Sequence, residues 1–135
     1  MDLDLVIANG IVIDGTGRPR FRGDVGIREG RIAAVTAGEP LVGRETLDAS
    51  GMVVAPGFID LHSHSDWLLP LAAHDEIMAP FLLQGITTLV TGQCGFSPAP
   101  VSEASLPLLD ASAEMMKVRD FPYDWRSMSE FLDAL

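Results

Sequence analysis

Apolar and polar residues in the first 55 positions come in short bursts separated by turn formers. The run 3–8 is followed by Asn9-Gly10, the run 11–13 by Asp14-Gly15-Thr16-Gly17, and the runs 24–28 and 31–36 flank Glu29-Gly30. Asn-Gly between two apolar runs is a strong hairpin signal. Further strands are expected at 45–48 and 52–55, on either side of Ala49-Ser50-Gly51. Six short strands at this spacing predict a small antiparallel sheet, part of a β-sandwich. The alternation is imperfect in 26–28 and 31–35, so one face is expected to be buried and the other partly exposed, to be covered by another part of the protein.

At Pro56-Gly57 the pattern changes. A strand at 58–61 leads into a helix at 75–83 with acid in its first turn, Asp75 and Glu76, and Pro80 is expected to kink or restart it. Residues 86–91 are rich in β-branched side chains and predict a buried parallel strand. The segment 92–100 holds too much Gly and Pro for regular structure. Helical character returns in 102–118, with a break expected at Pro107 near its start, and again from Asp124 or Ser127 to Leu135. That last run has helical spacing and no capping residue, which predicts continuation past Leu135. The fold class is therefore α/β: residues 1–55 as part of a small β domain, and residues 56–135 as the first units of a (β/α)8 barrel, which has eight such units in all.

Composition narrows the function. With 135 residues, 47% hydrophobic, the chain supports a folded core. Nine Lys+Arg against nineteen Asp+Glu leave a net charge of −10, which disfavours nucleic acid and anionic membrane as partners. No run approaches the roughly 18 apolar residues of a membrane span. The single cysteine excludes an internal disulfide, and the acidic start is unlike a secretory signal, so a cytoplasmic location is expected.

Candidate chemistry concentrates at two strand ends. In Phe58-Ile59-Asp60-Leu61-His62-Ser63-His64-Ser65-Asp66, residues two apart share a face of an extended chain, so His62 and His64 present their imidazoles to one volume. Neutral imidazoles suit Zn2+, and the carboxyl ends of strands are where β/α proteins build active sites. Cys94, just past the next strand, brings a sulfur to the same rim if the strands are neighbours. Asp60 and Asp66 share that face if the strand runs straight, so that one of them is a candidate to orient an imidazole through its second nitrogen, a structural role being the alternative for Asp60. His74, out of phase with the pair, reads as a helix-start residue. Trp67, Phe96 and the Pro98/Pro100 loop are candidates to wall a pocket. Gly15-Thr16-Gly17 lacks the third glycine and the strand-to-helix setting of a dinucleotide loop.

The segment Val53-Val54-Ala55-Pro56-Gly57-Phe58-Ile59-Asp60-Leu61-His62-Ser63-His64 resembles the signature that opens the barrel of the metal-dependent amidohydrolase superfamily. The preceding β-rich segment resembles that superfamily's small β-sandwich domain. The segment from Gln84 to Pro100, with Gly92-Gln93-Cys94-Gly95, resembles the N-acyl-D-amino-acid deacylase branch, whose Gly-Asn-Cys-Gly motif carries a cysteine ligand. The resemblance implies His62, His64 and Cys94 as ligands of one or two Zn2+ ions, with Gln93 in place of the usual Asn. It also implies that two more histidines and the general-base aspartate lie beyond Leu135, in the remainder of the barrel, which activity would require. The implied reaction is hydrolysis of a small N-acyl amino acid to a carboxylate and a D-amino acid, with the metal activating water and the aspartate shuttling the proton.

Other readings compete. A cyclic amide such as a hydantoin or dihydropyrimidine is open to the same apparatus. A non-catalytic chain would instead bind a partner through exposed sheet edges. Cys94 as a nucleophile with a histidine base would need an orienting group and an oxyanion site that nothing in the sequence marks.

Overall fold

One long strand carries the first apolar runs. In the computed structural model, which describes residues 2–135, β1 (Leu3–Val12) is continuous and passes through Asn9-Gly10 without turning. The register with β2 (Phe21–Arg28) runs Ile7↔Val25 and then Gly10↔Gly23, so Ala8 and Asn9 together face Asp24. This is a β-bulge, not the expected hairpin. Asn9 takes the left-handed conformation (φ 64°), its backbone N–H donates to Asp24 Oδ1 at 2.9 Å, and its side-chain amide donates to Asp48 at 2.9 Å. The asparagine that signals a turn locally is held within the strand by acids from elements on both sides.

The predicted turn at Glu29-Gly30 forms. Both residues have positive φ (51° and 70°), as a type I′ turn demands, and Arg28 pairs with Arg31 of β3 (Arg31–Thr36). β2 and β3 approach so closely at Gly23 that any Cβ there would strike the Thr36 carbonyl oxygen. β4 (Gly43–Asp48) and β5 (Val53–Val54) both run parallel to β1. The sheet, in the order β3-β2-β1-β4 with β5 also on β1, is therefore mixed, and the expectation of a purely antiparallel sheet is corrected. The chain crosses from β3 to the far side of β1 instead of turning back on itself. Leu3, Val6, Val12 and Val25 are buried, while Ile32 and Leu47 stay open to solvent, in keeping with one covered and one uncovered face.

The contacts divide the chain into two units, Met1–Pro56 and Gly57–Leu135. In the second, β6 (Phe58–Asp60) and β7 (Ile86–Leu89) pair in parallel and are joined by α1 (His74–Leu83), a β-α-β unit. Helix α1 starts at His74 and runs through Pro80 without restarting. The proline and Glu76, whose carbonyl loses its usual donor, are both exposed, so water can serve that carbonyl. β7 is shorter than expected and is not buried: Thr87 and Thr88 are exposed. A β-branched run reads as interior from its composition, but among the described residues only one strand flanks it.

Helix α2 (Leu106–Met115) has Pro107 in its first turn, where the missing N–H costs nothing, so the proline starts this helix instead of breaking it. Helix α3 (Met128–Asp133) opens with a capping box. Glu130 N–H donates to Ser127 Oγ at 3.2 Å, and Ser127 N–H donates to the Glu130 carboxylate at 2.9 Å. The core of this unit gathers Trp67, Val101, Leu109, Phe121, Trp125 and Phe131, with Trp67 against Phe121 at 5.0 Å and Trp125 against Phe131 at 4.9 Å between ring centres.

Tyr123 packs against this core. Burial, and then the neighbouring Asp110 carboxylate, push its phenol up to about 12. Because the folded value lies above the unfolded one of about 10, the associated stability is complete below pH about 10 and is lost as pH rises towards about 12. It is the one tyrosine of the chain. Ultraviolet titration is expected to show a single tyrosinate transition near 12 in the folded protein and near 10 in denaturant, and coincident midpoints would refute it.

Candidate metal centre

The ends of β6 and β7 set the site. Beyond Asp60 the two strands stay in register through Val90 N–H to the Asp60 carbonyl (2.8 Å) and Ser63 N–H to the Val90 carbonyl (3.0 Å). His62 and His64 therefore leave a backbone pinned to its neighbour, and their rings stand 5.8 Å apart between centres at 74°. Past β7 the chain reverses in Gly92-Gln93-Cys94-Gly95, where Gly92, Cys94 and Gly95 all have left-handed φ (72°, 57° and 76°). That conformation costs about 1–2 kcal/mol at a residue with a Cβ, such as Cys94. Strain of this kind persists where the surroundings over-determine it, and it collects at functional sites.

The reversal places Cys94 Sγ 3.3 Å from His62 Nε2. Ligand atoms of His62, His64 and Cys94 all lie within 4.8 Å of one another. His64 Nδ1 is buried and has no hydrogen-bond partner, while His62 and Cys94 are exposed. Two imidazoles and a thiol, converging with one ring nitrogen unsatisfied, are a donor set that fits Zn2+. Leaving the buried His64 Nδ1 without a partner is otherwise costly.

The flanking candidates divide. The Asp60 carboxylate accepts the His62 backbone N–H at 3.1 Å. Asp66, fully buried in a 3-10 turn formed by Ser65–Trp67, accepts Gly92 N–H at 3.1 Å. Neither carboxylate hydrogen-bonds an imidazole, which corrects that expectation: the chain leaves the extended conformation after Asp60, so the two-residue alternation stops before Asp66. Burial pushes the Asp66 carboxyl up, against the opposing pull of the Gly92 N–H. Gln93 reaches the Leu61 carbonyl at 3.4 Å, and Phe96 stands edge-on to His64 at 6.1 Å between ring centres. Trp67 turns into the core. His74 heads α1, with Nδ1 3.1 Å from the Leu71 carbonyl and Nε2 3.2 Å from Asp75. Among the described residues, no helix is long and apolar enough to cross a membrane.

The amidohydrolase family model matches residues 45–122, more than half of the chain. The chain belongs to the amidohydrolase family. A second model, the N-terminal domain of the urease alpha-subunit, matches residues 1–58. D-aminoacylase from Alcaligenes xylosoxydans xylosoxydans is 42% identical over 136 residues, covering 98% of this chain and 26% of its own. A solved D-aminoacylase structure described as having a binuclear metal centre superposes with a TM-score of 0.77 at 40% identity, over 98% of this chain and 27% of that one. N-acyl-D-glutamate deacylase from Bordetella bronchiseptica, solved with zinc and a phosphonate inhibitor, gives a TM-score of 0.66 at 45% identity, over 81% and 23%. The amidohydrolase chain thus spans about a quarter of the length of these relatives.

Sequence reasoning placed Asp66 beside the histidines but did not find its partner. Its role depends on a contact with Gly92, a residue 26 positions away. The one available signal was an acid beside a tryptophan in a segment that proves to be buried.

Proposed function

We propose that this chain supplies the first metal ligands of an N-acyl-D-amino-acid deacylase, with His62, His64 and Cys94 holding one or two zinc ions. The convergence of these three side chains within 4.8 Å is the observation that carries the reading. Zinc bound there supplies Lewis-acid polarisation of an amide carbonyl and activation of water near neutral pH. Cys94 serves as a ligand and not as a nucleophile, since its sulfur lies against His62 and has no third group to orient such a pair. Phe96, edge-on to His64, shields one side of that imidazole from water.

On this reading residues 1–55 form the amino-terminal part of a discontinuous small β-sandwich domain, and residues 56–135 open a (β/α)8 barrel. The parallel β6-α1-β7 unit, with its donors at the carboxyl ends of the strands, supports the barrel assignment. The general-base aspartate and further histidines belong to the remainder of that barrel. The substrate is a small N-acyl-D-amino acid, and the location is cytoplasmic, in line with the lone cysteine.

Deacylation is favoured over cyclic-amide hydrolysis because relatives matched over 98% of the chain are named D-aminoacylase, and those named N-acyl-D-aspartate and N-acyl-D-glutamate deacylase match over 77% and 82% of it. The test is an assay of the full-length zinc-loaded protein on N-acyl-D-amino acids, their L-enantiomers and a hydantoin. Turnover of the D-series is expected, and preference for the cyclic amide would overturn the reading.

A further inference from the structure

Asp66 is 2% exposed, yet it bonds no cation and no imidazole. Its Oδ2 accepts the Gly92 N–H at 3.1 Å, spanning the gap between the end of the histidine segment and the start of the turn that carries Cys94. Gly92 is the first of the left-handed residues in that turn, so the torsions that aim Cys94 begin at the atom Asp66 holds. Among the described residues, the turn 92–96 is otherwise joined to the histidine segment by the long Gln93–Leu61 contact at 3.4 Å, by Phe96 edge-on to His64 and by the Cys94–His62 contact itself, and Trp125 holds the same loop further on, at the Pro98 carbonyl. Gln93 is bonded to Phe96 inside the turn, which shapes the turn but does not place it. A turn with Cys94 at φ 57° relaxes towards ordinary backbone unless something outside it resists.

We propose that Asp66 is a positioning residue for Cys94: by accepting the Gly92 N–H it fixes the turn that holds Sγ against His62, and so sets the thiolate's place in the metal site. The inference rests on reading His62, His64 and Cys94 as the ligands. Groups that hold metal ligands in place cost about 10–100-fold in metal affinity when removed, and that is the size of loss expected here. An asparagine at this position keeps an oxygen able to accept the Gly92 N–H, whereas alanine does not.

The test uses the full-length protein loaded with Co2+, whose thiolate charge-transfer band reports the Cys94–metal bond separately from activity; Cys94→Ser identifies the band by removing it. Asp66→Ala is expected to bind Co2+ about 10–100-fold more weakly, with a diminished thiolate band per folded molecule. Asp66→Asn is expected to restore the band. Val101→Ala, a core truncation in the same unit, is expected to lower stability and leave the band unchanged. A folded Asp66→Ala protein with the wild-type band and affinity would overturn the inference while leaving the metal site standing. A wild-type protein with no thiolate band would overturn the metal site, and the inference with it. Should Asp66→Ala not fold, hydrogen exchange at the Gly92 amide of the wild type decides: protection is expected, and free exchange would overturn the inference.

Discussion

Replacing Cys94 with glycine is expected to abolish tight zinc binding while leaving the fold at least as stable as the alanine variant. Glycine adopts φ 57° without penalty, whereas alanine there keeps the strain of about 1–2 kcal/mol that the cysteine bears. Both substitutions remove the sulfur, so both should lose more than the about 10–100-fold in zinc affinity that follows loss of a mere supporting partner. The pair therefore separates ligation from backbone strain. Zinc content after dialysis against a chelator, together with a competition titration, checks affinity, and thermal unfolding checks the ordering of stabilities. A glycine variant that keeps its zinc would show that His62 and His64 bind the metal without the thiolate.

Trp125→Ala is expected to cost about 3–5 kcal/mol, the usual range for truncating a buried aromatic. The side chain is 2% exposed, sits between Phe121 and Phe131, and donates its indole N–H to the Pro98 carbonyl at 2.7 Å. That last bond anchors the loop that continues from Cys94 through Phe96. Trp125→Phe keeps most of the ring contact but strips the buried Pro98 carbonyl of its donor, a loss of about 1–3 kcal/mol before the smaller ring is counted. Trp67→Phe offers the contrast, because the Trp67 indole N–H has no partner to lose. Chemical denaturation of the three variants should rank Trp125→Ala as the most damaging and Trp125→Phe above the packing loss alone. Equal losses for the two phenylalanine variants would mean that the Pro98 bond contributes nothing net.

Local chemistry makes much of this protein legible in its amino-acid sequence. The change of pattern at Pro56-Gly57, the Glu29-Gly30 turn, the helix headed by His74 and the parallel strand before Cys94 all follow from φ preferences, side-chain periodicity and first-turn acids. Spacing alone pairs His62 and His64 as candidates, although the strand that was to align them ends at Asp60, and one cysteine leaves a single thiol to consider. Elsewhere local signals lose to distant partners. Asn9-Gly10 stays inside β1 because Asp24 and Asp48, 15 and 39 residues away, take its donors. β4 and β5 become parallel neighbours of β1 because the chain crosses over it, and no residue pattern within a short strand records that crossing. Asp66 turns inward to hold Gly92 because the chain leaves its strand after Asp60. Residue chemistry and spacing thus suffice to name the side chains that are candidates for a metal and roughly where strands and helices begin. That Cys94 Sγ meets His62 Nε2 at 3.3 Å is settled by the folded chain, because the distance depends on strand register and on a left-handed turn held from 26 residues away.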